Sequence, residues 1–399
     1  MKNDVLTSRI ISVIIALLPL IAFVNVPSLE IGLGMFLLII LFPWLFYVCL
    51  TRIQLNDVFK FSFLLLFCLI SVFCSRDNIS NIIGFILVMV WVLGAYKNLI
   101  NERLVFGIMS SVSVLASFIV VLQLISHYVL GFNLNPYIPF LYKDATLTQY
   151  YTVIYASFDN VSLYRPSAFF LEPSHFSEYT IIVLLWHLLK NREKNRVIIA
   201  IIISIGILLT RSGMGIAMVT GAWVVYYING LDFKKMENCI NAVLVVIGCI
   251  AVLYLCFRLP FFQSAMNRVA ATDGDYNAIN GRLFWWNYYF SPLSFSQLLL
   301  GCGYGAVELD KYMTGFMKLL YCSGIIGVIF FYLMLFQHVE RKDKFKNIAI
   351  VFYSVLIVFA GLVSVIHLVF YLTIILSKKI DVERQITMSN TLNAHLERL

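Results

Sequence analysis

Apolar runs long enough to cross a lipid bilayer recur along the whole chain and leave little polar sequence from which to build a water-facing surface. A membrane helix needs roughly 20 apolar residues. Candidate runs cover 10–26, 31–50, 59–74, 79–96, 104–126, 174–189, 239–257 and 315–336. Only 13% of the residues are charged, against about 25% in soluble proteins. Lipid is therefore the solvent for most of this surface. The sequence predicts one all-α polytopic membrane domain over residues 1–399. The first run, Ile10 to Val26, has no small-residue cleavage site after it and reads as a retained span, not a signal peptide.

Two stretches are too long for one span. Residues 197–228 carry Thr210-Arg211-Ser212-Gly213 at their middle, and residues 348–376 carry Gly361 to His367. The basic residues decide how they fold. Dense basic loops lie at 190–196 and 341–346, with smaller ones at Lys2/Arg9, Arg52/Lys60, Lys97/Arg103, Lys234/Lys235 and Lys378/Lys379/Arg384. Putting all of them on the cytoplasmic side, as the positive-inside rule asks, makes each long stretch a hairpin. The count is then about twelve transmembrane helices, with both termini inside and 20 of the 29 basic residues inside. Two long loops face outward, about 127–172 and 258–314. Six of the nine outward basic residues are arginine. Lysine suffices for topology, whereas arginine is the better fork for phosphate oxygens.

The formal charge of +8 is accounted for by this topology and does not call for nucleic acid. The eight cysteines form no CxxC pair, and no Cys/His cluster has zinc spacing. No GxxxxGK[ST] loop is present, so ATP is not expected as a cofactor. Asp273-Gly274-Asp275 resembles a fragment of a calcium loop but lacks the remaining ligands. Neither a metal nor any other cofactor is expected.

Charged groups at a membrane boundary are costly unless paired or used. The segment Arg165-Pro166-Ser167-Ala168-Phe169-Phe170-Leu171-Glu172-Pro173-Ser174-His175 places three ionisable side chains just before an apolar run. Pro173 suits a first helical turn, which puts Glu172 at the helix N-terminus, where the dipole favours an acid. Glu172 is then either a capping carboxylate paired with Arg165 or a group that orients a hydroxyl or removes its proton. Helical spacing puts Glu172, His175, Phe176 and Tyr179 along one face and Glu178 on another, in reach of His175. Arg211, in the turn of the first hairpin, either snorkels to lipid headgroups or serves a site. Arg258, Arg268 and Arg282, with Asp273 and Asp275 nearby, include ordinary surface pairs worth little. His367, at the apex of the last hairpin, faces the same side as the long loops. His127, His187, His338 and His395 have no supporting context. Gly301, Gly303 and Gly305 lack the strand–helix setting of a dinucleotide fingerprint and read as a loop folding back closely.

The string Arg-Pro-Ser-x-Phe-Phe-x-Glu-Pro-Ser-His-Phe over 165–176 resembles the signature of bacterial O-antigen and capsule repeat-unit polymerases of the Wzy type. Leu209-Thr210-Arg211-Ser212-Gly213, Asn280-Gly281-Arg282, Leu300-Gly301-Cys302-Gly303-Tyr304-Gly305 and Gly324-Ile325-Ile326-Gly327 extend the resemblance over roughly 160–336, while 1–150 matches only in hydropathy. It implies a glycosyltransferase type C-like fold in the bacterial inner membrane, with the long loops and the active site facing the periplasm. It implies undecaprenyl-diphosphate-linked oligosaccharides as donor and acceptor, with a chain-length regulator and a flippase as partners. Arg211 and Arg282 would hold diphosphate. Arg165 and Glu172 would position or activate the acceptor, and His175, Arg258, Arg268 and His367 would bind substrate.

Two alternatives stay open at this stage. An O-antigen ligase of the same fold would use a lipid A-core sugar as acceptor. A flippase or other transporter fits twelve spans, but transporters usually show internal repeats and mid-membrane polar sites, and neither is detected here.

Overall fold

The computed structural model describes residues 2–26, 31–74, 79–98, 100–134, 157–158, 161–162, 164–231, 235–258, 285–304, 313–339 and 343–376. Among them lie fifteen helices and one two-residue β pairing. The helices are α1 (Lys2–Ile21), α2 (Leu33–Arg52), α3 (Leu55–Lys60), α4 (Ser62–Cys74), α5 (Ile79–Asn98), α6 (Glu102–Tyr128), α7 (Pro173–Leu189), α8 (Arg196–Leu209), α9 (Gly213–Asn229), α10 (Met236–Arg258), α11 (Trp286–Phe290), α12 (Phe295–Leu300), α13 (Gly315–Gln337), α14 (Lys344–Phe359) and α15 (Val365–Leu376). Four of them, α2, α5, α6 and α13, are long and apolar enough to cross a membrane. Their outward faces are oily: Ile40 and Leu50 on α2 and Leu115, Phe118 and Leu122 on α6 are exposed. Such a surface suits hydrocarbon, and backbone polar groups closed within helices are what hydrocarbon demands. The protein is an all-α membrane protein.

Both long apolar stretches break in the middle. Thr210 closes α8, and Ser212 opens α9 as an N-cap that accepts from the Gly215 N–H at 3.3 Å. The legs run antiparallel, since Trp223 Nε1 on α9 donates to Ser204 Oγ on α8 at 2.9 Å. Their 14 and 17 residues rise about 21 and 26 Å, short of a hydrocarbon core of about 30 Å. The second break falls between α14 and α15. Tyr353 and Tyr371 stack across it at 4.5 Å, and Tyr353 Oη donates to the Leu362 carbonyl at 3.3 Å.

One end of the bundle is basic. Lys190 Nζ bridges Glu102 Oε2 at 3.0 Å and Asp343 Oδ2 at 2.9 Å. That joins the 190–196 loop, the start of α6 and the start of α14 at one end. Lys97 pairs with Asp57 at 2.6 Å, and Lys344 Nζ donates to Asn229 Oδ1 at 2.9 Å at the same end. The opposite end gathers the start of α7, the α8–α9 turn and the α14–α15 turn.

Helix α7 is the axis of the bundle. All but three of its 17 residues are buried, and it packs against α6, α8, α9 and α14. Its polar side chains are tied locally. His187 shares a hydrogen bond with Ser110 at 2.7 Å and another with Asn191 at 3.0 Å, which makes it a satisfied core histidine.

Helix α13 is kinked at Gly324, whose φ is 64°. A Cβ there would overlap the Leu299 carbonyl and the Gly301 amide. The kink frees the carbonyls of Tyr321 and Cys322, which accept from the N–H groups of Cys302 at 2.8 Å and Gly303 at 3.0 Å. Gly301, at φ 89°, makes that approach sterically open. The expected close fold-back of this glycine stretch is therefore present for Gly301 and Gly303; Gly305 lies outside the described residues. The 258–314 region also contains two short helices, α11 and α12, where a loop was expected.

Candidate functional site

The segment before α7 is built as a rigid strap. Ala168 takes the left-handed conformation at φ 51°, which costs a non-glycine residue roughly 1–2 kcal/mol. Gln123, fully buried on α6, holds it there. Its Oε1 accepts from the Ala168 N–H at 2.9 Å, and its Nε2 donates to the Ala168 carbonyl at 3.4 Å. Ser167 adds a side-chain bond to the Phe170 carbonyl at 2.7 Å. A strained residue pinned by a buried amide fixes where Arg165 and Glu172 leave the backbone.

Arg211 forms the centre of a second constrained turn. It is 5% exposed, with φ 56°. Its Nη1 donates to the Tyr164 carbonyl at 3.3 Å, and its guanidinium lies over the Tyr128 ring at 5.5 Å. The Tyr164 ring in turn stacks on His127 at 4.1 Å, and His127 Nδ1 bonds Asn133 Oδ1 at 2.7 Å. The α8–α9 turn is thus joined to the residue that precedes Arg165. The guanidinium is sunk among rings and does not run along the lipid surface as a snorkelling side chain would.

Glu172 occupies the N-cap position of α7, but its carboxylate makes no capping hydrogen bond to the helix backbone. Instead Oε2 accepts from Ser174 Oγ at 3.0 Å. Six residues further on, Glu178 is 5% exposed and lines a cleft with His175 and Tyr179. The cleft lies between α7, the end of α1 and the first turns of α15, which contributes His367. Phe23 stacks on His175 at 6.0 Å. Ser364 Oγ shares a hydrogen bond of 2.7 Å with His367 Nδ1.

The face expected for α7 needs correction. His175 and Tyr179 share it, but Phe176 points into the core at 0% exposure, and Glu178 takes its place in the cleft. Positions 175, 178 and 179 form a helical i, i+3, i+4 stripe; the expected stripe was started one turn too early, at Glu172. Arg258 is exposed at the end of α10, where its Nη2 donates to Tyr254 Oη at 2.6 Å. Arg268, Arg282, Asp273, Asp275 and His395 lie outside the described residues.

Gln123, His127 and Tyr128 were not legible as neighbours of these two turns, because nothing in the end of an apolar helix announces partners at Ala168, Tyr164 and Arg211. Glu178 was legible as a charge but not as a wall of this cleft. Among the described residues no three His, Cys, Asp or Glu side chains group as a metal site would require. Compared with known protein families and with curated proteins, the chain matches no family model and no curated protein.

Proposed function

We propose that the chain is a repeat-unit polymerase of the bacterial inner membrane. It joins undecaprenyl-diphosphate-linked oligosaccharides at the periplasmic face. The growing chain is the glycosyl donor, and a hydroxyl of a new lipid-linked unit attacks its anomeric carbon. Undecaprenyl diphosphate leaves with the electron pair. Arg211 and Arg282 hold the diphosphate, where fixed cations stabilise the charge that grows on the leaving group. Arg165 and Glu172 position the acceptor, and a flippase and a chain-length regulator act before and beside it.

One observation carries this reading. Arg211 is buried in a left-handed turn and bonded to Tyr164, which sets it beside the strap that presents Arg165. A flexible lysine-like contact to headgroups would need neither the burial nor the strain. The geometry of the bundle also supports the topology. The chain leaves α9 at the basic end, where Asn229 meets Lys344, and starts α13 at the other, where the Gly315 N–H donates to the Ala360 carbonyl at 2.7 Å. The proposed topology has twelve crossings, four of them the long helices α2, α5, α6 and α13.

Deleting the gene in its native host and resolving surface polysaccharide on a gel tests the function. A polymerase loss leaves core plus one repeat unit. Bare core with lipid-linked polymer accumulating would instead mean a ligase, and neither pattern would remove the chain from polymer assembly.

A further inference from the structure

We infer that the cleft between α1, α7 and α15 binds the acceptor saccharide and that Glu178 is the base that takes the proton from its attacking hydroxyl. This rests on the polymerase reading above and assigns it a catalytic residue other than Glu172.

Three observations lead there. First, Glu178 sits about 8 Å below the start of α7, five residues past Pro173 at 1.5 Å per residue. It is 5% exposed in a wall that is otherwise mostly rings and aliphatic groups. Burying a carboxylate at that depth is expensive, and side chains kept there usually have a task. Second, the cleft is walled by Phe23, Phe170, Tyr179 and Phe370, while Glu178, His175 and His367 bring polar groups into it. An apolar wall with a few convergent polar groups is the composition of a small-ligand site. The free space is about 20 Å³, room for about one water-sized group, so the cleft admits one hydroxyl-bearing edge of a sugar and not a whole ring. Third, His175 Nδ1 is fully buried and has no hydrogen-bond partner. A buried ring nitrogen of this kind is costly until something bonds it, and an incoming hydroxyl would do so.

Glu172 is less suited to the same task. It is only partly buried at the helix start, where water competes for its carboxylate, whereas Glu178 is buried. The strap connects the two halves of the site. Its residues 164–168 face α6 and the Arg211 turn, and its residues 169–171 line the cleft. Donor diphosphate on one side and acceptor on the other would meet across it. The step balances without a co-reactant. The acceptor oxygen forms a bond to the anomeric carbon, the bond from that carbon to the diphosphate oxygen breaks, and the hydroxyl proton passes to the Glu178 carboxylate and then to water.

The experiment uses full-length protein in nanodiscs and lipid-linked oligosaccharide extracted from the native host lacking the gene. With wild type elongating this material, Glu178→Gln is expected to lower turnover at least about 100-fold, the low end for a positioned base. Glu178→Asp, which keeps a carboxylate, should recover part of the turnover that Glu178→Gln loses. Turnover of Glu178→Gln within threefold of wild type would overturn the assignment. If that variant does not fold, Phe169→Cys on the cleft wall decides. In a background without the natural cysteines, a benzyl thiosulfonate attached after folding should abolish elongation, the cysteine-free parent should be unaffected by the reagent, and preloaded oligosaccharide should slow the attachment. Full labelling with unchanged elongation would overturn the cleft as acceptor site. If wild type itself does not elongate the extracted material, the polymerase reading has failed, which is a different result from either of these.

Discussion

Arg211 Nη1 donates to the carbonyl of Tyr164 across 3.3 Å, joining residues 47 positions apart. The bond ties the break in a long apolar stretch to the strap that carries Arg165. It gives a physical reason for an arginine at a position where backbone conformation alone would favour glycine. The first prediction separates its two roles.

Arg211→Gly and Arg211→Ala both remove the guanidinium, but only alanine retains the left-handed cost at φ 56°. Glycine should be the more stable of the two by about 1 kcal/mol, read as a higher melting temperature in detergent. Both should fail to make polymer. Arg211→Lys should restore only part of the activity, since a point charge lacks the planar fork. Full activity in the alanine variant would remove Arg211 from the site.

Gly324→Ala should destabilise the protein by about 1–3 kcal/mol. The added Cβ meets backbone of Leu299 and Gly301, and the residue sits at φ 64°. Gly361→Ala, where a Cβ has open space around it, is the control and should melt within about 0.5 kcal/mol of wild type. Equal melting of both variants would mean that the α13 kink does not depend on glycine.

The Lys190 network should make stability depend on pH at both extremes. Burial pushes the Asp343 carboxyl up, but the Lys190 hydrogen bond, the Lys346 N–H and the two lysine charges together hold it below its ordinary range. Its contribution is therefore present above about pH 4 and is lost as pH falls through the lowered value. Burial pushes Lys190 down, but Glu102 and Asp343 raise it overall. That contribution is present below about pH 10 and is lost as pH rises through the raised value. Lys190→Met, which leaves two carboxylates without their cation, should cost about 1–2 kcal/mol at neutral pH. It should also flatten the loss on the alkaline side. A Lys190→Met melting profile that coincides with that of wild type from below about pH 4 to above about pH 10 would show that the network carries no stability.

Orientation is open to labelling. Glu193 and Ser364 are both exposed, at opposite ends of the bundle. In a background without the natural cysteines, Ser364→Cys should react with an impermeant thiol reagent in intact cells, and Glu193→Cys only after the inner membrane is opened. The reverse pattern would invert the topology.

Much of the fold was legible because hydropathy and basic residues act independently of tertiary detail. The runs at 31–50, 79–96 and 315–336 correspond to α2, α5 and α13 within two residues at either end, and the breaks at 210–212 and 360–364 fall where polar and small residues interrupt the long stretches. Helix starts were less legible. The chain is helical from Lys2, eight residues before its first apolar run, because charged and polar residues extend a helix as readily as apolar ones beyond the lipid boundary. The 59–74 run divides into α3 and α4, because Gln54 and Asp57 cap a separate short helix. Within the site, Arg211 and the Arg165 strap could be named from their chemistry. The Gln123 clamp and the placement of Glu178 depend on which helices face each other, and a single amphipathic pattern does not encode that when a helix such as α7 is buried on nearly every side.

Purified protein in nanodiscs, supplied only with lipid-linked oligosaccharide from the native host lacking the gene, reads elongation with no other enzyme present. The products, released by mild acid and sized by mass spectrometry, should form a ladder spaced by one repeat unit, with one undecaprenyl diphosphate released per bond and no nucleotide added. An unchanged single unit after prolonged incubation with folded protein, or its movement across a bilayer without any lengthening, would contradict the account.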